Sequence, residues 1–234
     1  FELINLFPEA DLIFLEGFKN SNYPKIEIVR KGNSYESVCN KENLIAIASD
    51  INKDPLDKAK LNAIFEEVDE KIDTRLGGGL STVEVNEADA CVIAGMGGNL
   101  IRDILEADKE KAKGFKFLIL QPAQNPEVLR EYLYTNGYEV IEEDLCIDED
   151  KYYELFKVRV KEGEETSLDS IYYEISPKLL RDRHPLMKDY ITYKKEKYEK
   201  ILGFIEDDTE SAEARKNELE AKINILTNLE NYLR

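Results

Sequence analysis

The sequence predicts an α/β protein, with a mostly parallel sheet, an antiparallel hairpin at its edge and a helical hairpin after it. Three observations predict this. Short apolar runs alternate with helix-period segments between Leu44 and Val160, the pattern of strands joined by crossover helices. The last two strand-like runs, YEVIEEDL and YYELFKVRV, are separated only by the turn-like IDEDK, which suits antiparallel pairing. Beyond Glu164 the chain becomes charged with helical spacing of Leu, Ile and Tyr.

Taken in order, residues 11–15 (DLIFL), 25–30 (KIEIVR) and 44–48 (LIAIA) read as strands, separated by NSNYP and KGNSYES. A helix follows Asp50, with Asp54 as N-cap, Pro55 at the first helical position, and Leu56, Ala59, Ala63 and Ile64 on one face. Strands return at KIDTRL and ACVIAG, then a helix NLIRDILEAD capped by Asn99. Strand FKFLIL and helix PEVLREYLYTNG, ending near Gly137, lead to the two hairpin strands. In the tail, Leu219, Ile223, Leu226, Leu229 and Leu233 form one stripe, and Tyr190, Tyr193, Ile201 and Ile205 another. The acidic EDDTES between them predicts an antiparallel helical hairpin or coiled coil. The expected organisation is therefore a segment 1–49 contributing strands, an α/β domain 50–164 and a helical hairpin 165–234.

Composition narrows the class. The 234 residues are 42% hydrophobic and 35% charged, and no run of apolar residues reaches membrane-spanning length. The chain opens on Phe1 in what reads as mid-domain sequence, so the expectation is a truncated N-terminus with no targeting segment. Cys39, Cys91 and Cys146 lack paired metal spacing and fit reduced, buried thiols of a cytoplasmic protein. A formal charge of −17 argues against general attraction to nucleic acid. Yet residues 176–200 hold eight bases against four acids, so one basic face is expected on an acidic protein.

The chemistry begins at Asp50, a carboxylate at the carboxyl end of a strand that feeds a helix. In open α/β sheets this is where ribose hydroxyls are commonly held. INKDPLDKAKLNA, DTRLGGGL, CVIAGMGGNLIRDILEAD, FLILQP, LREYLYTNGYEVIEEDL and KYYELF follow it, and SPKLLRDRHPLMKDYI leads into the helical tail. Together they resemble the TrmK family of tRNA (adenine-N1)-methyltransferases over about residues 46–234. The resemblance implies a Rossmann-like class I methyltransferase domain with a C-terminal helical hairpin, S-adenosyl-L-methionine as cofactor, and tRNA as partner. It implies that Asp50 and Ile51 hold the cofactor, with Gly77, Gly78, Gly79 and Ala94. Gly95, Met96, Gly97 and Gly98 become the acceptor-cleft candidates, with no single catalytic residue assigned. Lys178, Arg181, Arg183 and His184 are the RNA-binding candidates.

Two departures matter. Gly78 stands where the family usually has Asp. The glycine-rich first motif that holds the methionine end of the cofactor is also absent upstream of Asp50, which predicts weakened donor binding. In its place DLIFLEGFK, YPKIEIVRKG and LIAIASD resemble MobB, the GTP-binding family of molybdopterin-guanine dinucleotide biosynthesis, over residues 1–50. The chain thus reads as a chimera whose seam is IASD. A MobB-like accessory role is one alternative, but GTP binding is not expected because no Walker loop is present. A non-catalytic RNA-binding module is the other. His184, the lone histidine, can form neither a triad nor a multi-histidine metal site, and no metal is expected. It reads equally as an RNA contact or as a helix-flanking residue before Pro185.

Overall fold

The computed structural model describes residues 46–161, 163, 165–205 and 209–233. The strands expected at residues 11–15 and 25–30, and Cys39, lie outside them. The chain divides into two compact units, Phe1–Ala123 and Gln124–Arg234. This division falls within the α/β region, ahead of the composition change at Glu164.

In the first unit, strand β1 (Ala46–Asp50) and strand β2 (Ile72–Leu76) pair in parallel, with Ala46 opposite Ile72 and Asp50 opposite Leu76. Helix α1 (Lys53–Phe65) connects them and buries Pro55, Leu56, Ala59 and Ala63. Small side chains let this helix sit close, and Ala48, Ala63 and Ile72 share a core cluster. Two details differ from expectation. Asn52, not Asp54, occupies the N-cap position. Asn52 N–H donates to Asp50 Oδ1 at 2.7 Å, so the chain begins to turn immediately after the strand. Asp54 lies instead in the first turn, where a negative charge favours the helix dipole. Ile64 is 55% exposed rather than buried, because it is rotated about 100° from Ala63, off the stripe that Leu56, Ala59 and Ala63 define.

Strand β3 (Ala90–Gly97), helices α2 (Gly98–Ala107) and α3 (Lys109–Gly114), and strand β4 (Phe117–Gln124) follow, with β3 beside β4. Ile101 and Leu105 of α2 and Leu118 and Leu120 of β4 are fully buried, each contributing roughly 1.5–3 kcal/mol by leaving water. The residue before α2 is Gly97, so Asn99 is already helical and caps nothing. β3 runs on through Met96 and Gly97, two residues beyond the ACVIAG run that announced it.

The second unit starts with helix α4 (Pro126–Thr135), which has Pro126 at its first position; Gly137 at φ +73° follows its end. Strands β5 (Tyr138–Asp148) and β6 (Lys151–Val160) pair antiparallel. Glu149 and Asp150 both have positive φ, the backbone of a two-residue hairpin turn whose twist matches the strands. The register shifts between Val140 and Glu142. This bulge lets Tyr138 and Glu143, five residues apart, both be buried, which simple alternation forbids.

Helices α5 (Ser170–Glu174), α6 (Pro177–Arg181), α7 (Met187–Gly203) and α8 (Glu210–Tyr232) complete the unit. The Ser176 and Thr209 hydroxyls accept from the N–H groups of Leu179 and Ala212, capping α6 and α8. Lys195 reaches Glu230 while Tyr198 lies under Lys222, so partner numbers fall along α8 as they rise along α7, and the pair is antiparallel. Leu226 joins Leu145, Ile171, Ile175, Leu179, Leu180, Met187, Tyr190 and Ile191 in one core cluster. Tyr193, expected in the packed stripe, is 42% exposed and meets the Tyr152 ring at 5.2 Å.

Among the described residues no helix is long and apolar enough to cross a membrane.

Candidate functional site

Parallel pairing of β1 with β2 puts both carboxyl ends on one edge, and the first group of candidate residues gathers there. Asp50 ends β1 and is 6% exposed. Its backbone carbonyl accepts from Gly77 N–H at 2.9 Å, which ties the start of the glycine loop to the end of β1. Ile51 is 49% exposed. A Cβ added to Gly78 would lie 3.0 Å from Ile51 Cγ2, so the glycine passes directly against this side chain. The edge therefore brings together a largely buried carboxylate, an exposed apolar side chain and a glycine backbone.

The loop is held by charge. Arg75, near the end of β2, donates through Nη1 and Nη2 to the two Glu87 oxygens at 2.7 Å each. Its Nη1 also donates to the Thr82 carbonyl, and its Nε to Asp73 Oδ2, both at 2.7 Å. The hydrogen bonds to Glu87 lead the effects that raise the guanidinium above its ordinary range, so it is permanently charged. On the other side, Lys111 Nζ donates to the Leu80 carbonyl at 2.8 Å. Gly79 adopts φ +56° and faces Ile104 of α2, where a Cβ would approach within 2.9 Å. Glycine is required here on both counts.

The second group sits at the end of β3. Ala94 is partly buried, Gly95 is exposed with φ +75°, and Gly98 begins α2. Gly95 N–H donates to Gln121 Oε1 at 2.9 Å, and Gln121 Nε2 donates to the Pro122 carbonyl at 3.1 Å. Gln121 was not singled out by sequence reasoning; the polar residue closing the apolar run LIL was the available signal. A Cβ on Gly97 would meet nothing within 4 Å, so the chain leaves open space there in front of α2.

The thiols of Cys91, on β3, and of Cys146, on β5 of the second unit, are unsuited to attack. Burial pushes Cys91 up to about 12 and Cys146 up to about 11, with Asp144 and Asp148 adding to the latter. Among the described residues, no three His, Cys, Asp or Glu side chains are grouped as metal ligands would be.

The RNA-binding candidates fall in the second unit, on α6 and the turn after it. Arg181 and Arg183 are exposed and Lys178 is partly buried. Arg181 pairs with Asp182 at 3.2 Å, and the Arg183 guanidinium lies 5.7 Å from the centre of the Tyr232 ring. His184 Nδ1 accepts from Leu186 N–H at 3.3 Å, leaving Nε2 to donate to Asp144 at 2.9 Å. The histidine thus fastens the α6–α7 turn to β5 rather than standing out with the arginines.

That unit also holds a network that sequence reasoning missed. Arg130 is fully buried. It donates to Glu143 at 2.6 Å, to Glu154, and to the Tyr173 carbonyl at 2.6 Å. Burial alone would lower Arg130, but the two carboxylates outweigh it and the net direction is upward. Tyr190 OH donates to Glu154 at 2.5 Å, and burial, then Glu154, pushes its phenol well above the ordinary value.

Comparison with known proteins agrees with this architecture. The profile of the TrmK family, tRNA (adenine(22)-N(1))-methyltransferase, matches residues 34–228. That of MobB, molybdopterin guanine dinucleotide synthesis protein B, matches residues 1–50. A tRNA (adenine(22)-N(1))-methyltransferase of Bacillus subtilis (strain 168) is 42% identical over 110 residues, 47% of this chain and 46% of the relative. The match thus spans about half the length of that curated relative. The crystal structure of the Bacillus subtilis tRNA methyltransferase TrmK superposes with a TM-score of 0.69 at 30% identity, covering 78% of this chain and 80% of that one. A Streptococcus pneumoniae protein in complex with S-adenosyl-L-methionine gives 0.68 at 27% identity, covering 78% and 79%. The fold is therefore the Rossmann-like methyltransferase fold, and with the family profile spanning most of its length, the chain belongs to the TrmK family.

Proposed function

We propose that this chain transfers a methyl group from S-adenosyl-L-methionine to N1 of an adenine in tRNA, in the cytoplasm. The observation that carries the reading is the convergence of Asp50, Ile51 and Gly77–Gly79 at the carboxyl edge of a parallel strand pair. A strand-end carboxylate is suited to accept from two ribose hydroxyls, and the exposed Ile51 to lie against a purine face. The residues present fit the nucleoside half of the donor, since the strand-end carboxylate of Asp50, the exposed Ile51 and the glycine backbone lie side by side. When bound, the donor supplies an electrophilic methyl on a sulfonium centre. Ala94 and Gly95–Gly98 line the approach, with Gln121 fixing the Gly95 N–H and open space at Gly97. An adenine N1 is already nucleophilic, so the protein's task is to align the reactants and exclude water.

The exposed Arg181 and Arg183 supply charge for the tRNA backbone. The proteins matched bear on the same reading: one curated relative is named for methylation of adenine 22, and one neighbour was solved with S-adenosyl-L-methionine. The glycine-rich motif absent before Asp50 is the part that would hold the methionine end, so donor affinity is expected to be low.

The test is methyl incorporation from labelled S-adenosyl-L-methionine into tRNA transcripts carrying adenine or guanine at position 22. Label in the first alone supports the reading. No label in either at millimolar donor with tRNA bound overturns it, as does label whose hydrolysate contains no 1-methyladenosine; equal label as 1-methyladenosine in both moves the acceptor to another adenine.

A further inference from the structure

We propose that Arg75 is the positioning residue of the donor site: by clamping the loop between β2 and β3 back onto its own strand, it sets the backbone of Gly77–Gly79 for the donor's nucleoside. The proposal rests on the reading of Asp50 and this loop as the nucleoside-binding edge.

The segment between Leu76 and Ala90 contains no helix or strand, and it starts with three glycines in succession. Left to itself such a segment samples many backbone conformations. Arg75 prevents this from within the strand that launches it. Its planar fork is occupied on both sides, by Glu87 from the far limb of the loop and by Asp73 from β2, with the Thr82 carbonyl between them. Glu87 in turn accepts from Glu84 N–H at 2.8 Å, so the far limb is folded around the same carboxylate.

The steric result is visible at Gly77. A Cβ there would lie 2.4 Å from Thr82 Cγ2, so the two limbs are drawn together more closely than any residue but glycine allows. Thr82 is held through its carbonyl and methyl, while its own hydroxyl is buried without a hydrogen-bond partner. A loop that keeps a buried hydroxyl unsatisfied is set by something other than its own local preference, and the Arg75 fork is the group in place to do it. Lys111 on the Leu80 carbonyl fixes the opposite side. The glycine stretch beside Asp50 and Ile51 is thereby held in one conformation in which to meet a ligand.

A lysine cannot reproduce this, since a point charge on a flexible stem lacks the fork. The test compares wild type with Arg75→Ala, Arg75→Lys and Glu87→Gln. S-adenosylhomocysteine and 5′-methylthioadenosine are titrated calorimetrically, and amide exchange is followed across residues 77–89. Because the loop faces the nucleoside, both ligands should weaken by about tenfold or more in Arg75→Ala. Arg75→Lys should resemble Arg75→Ala more than wild type. Affinity for tRNA without donor should stay constant, and exchange should quicken in 77–89 while β5 and β6 remain protected. Glu87→Gln, which keeps the volume, guards against a misfolded alanine variant. Wild-type-like affinities and loop exchange in Arg75→Ala and Glu87→Gln overturn the clamp. A wild-type chain that binds neither ligand is a different result, and it overturns the proposed function itself.

Discussion

Arg75 and Arg130 are bound in nearly the same way, each to two carboxylates and one backbone carbonyl, and they differ in burial. Arg75 is 17% exposed and closes a loop onto its own strand. Arg130 is 0% exposed and links α4 to Glu143 of β5, Glu154 of β6 and the end of α5, with Tyr190 of α7 on the same Glu154. The same chemistry therefore serves two purposes. Near water, ion pairs contribute little to folding but can select one loop conformation. In the core, the pairing compensates desolvated charge, and losing one member strands the others.

The largest effect is expected at Arg130. Arg130→Met keeps the bulk over Phe156, whose ring lies 4.8 Å from the guanidinium carbon, but leaves Glu143 and Glu154 without their cation. Urea unfolding should show a loss of about 3–5 kcal/mol; a loss near zero would mean that water reaches the network. Tyr190→Phe removes one hydrogen bond to Glu154 while keeping the ring that packs 5.1 Å from Tyr152. It should cost about 1.5–3 kcal/mol in the same measurement.

The phenol also gives a pH test. Its folded pKa is raised, first by burial and then by Glu154, so its contribution is complete below the ordinary tyrosine value of about 10 and is lost as pH rises beyond it. Tyr134, pushed up to about 12 by burial and then Glu143, acts with the same sign. Melting temperature should therefore fall above about pH 10, less steeply in Tyr190→Phe than in wild type. The smallest effect on stability should belong to Arg75→Ala, at about 1 kcal/mol or less for a solvent-reached cluster, although donor affinity should fall about tenfold or more. An Arg75→Ala loss as great as that of Arg130→Met would erase the distinction between the two arginines.

Much of this was legible in the sequence, and the unread part has identifiable physics. Alternation of apolar runs and helical stripes placed β1–β6, α1, α2, α4, α7 and α8, because burial imposes those periods. The strand-end carboxylate and the glycine run were visible as residue types, and the parallel register of β1 and β2 brought them together. Arg130 was hidden because a charged residue in a helix reads as solvated. Its partner Glu143 was hidden because the bulge between Val140 and Glu142 reverses which residues face inward. Arg75 and Glu87 are twelve residues apart across an irregular loop, where no periodicity connects them. Ile64 failed for the opposite reason: it fitted an apolar pattern but fell on its flank.

In the proposed function the β1–β2 edge is a nucleoside site built on Asp50. The measurement that tests it most directly is calorimetric titration of S-adenosyl-L-methionine into wild type and Asp50→Ala, each checked for an unchanged circular dichroism spectrum. Wild type should bind saturably but weakly, and Asp50→Ala at least about tenfold more weakly, the loss expected when charge-assisted hydrogen bonds to the ribose are removed. Equal affinity in the two proteins would contradict it, since the donor would then be held somewhere other than the edge where Asp50, Ile51 and the Arg75-clamped glycines meet.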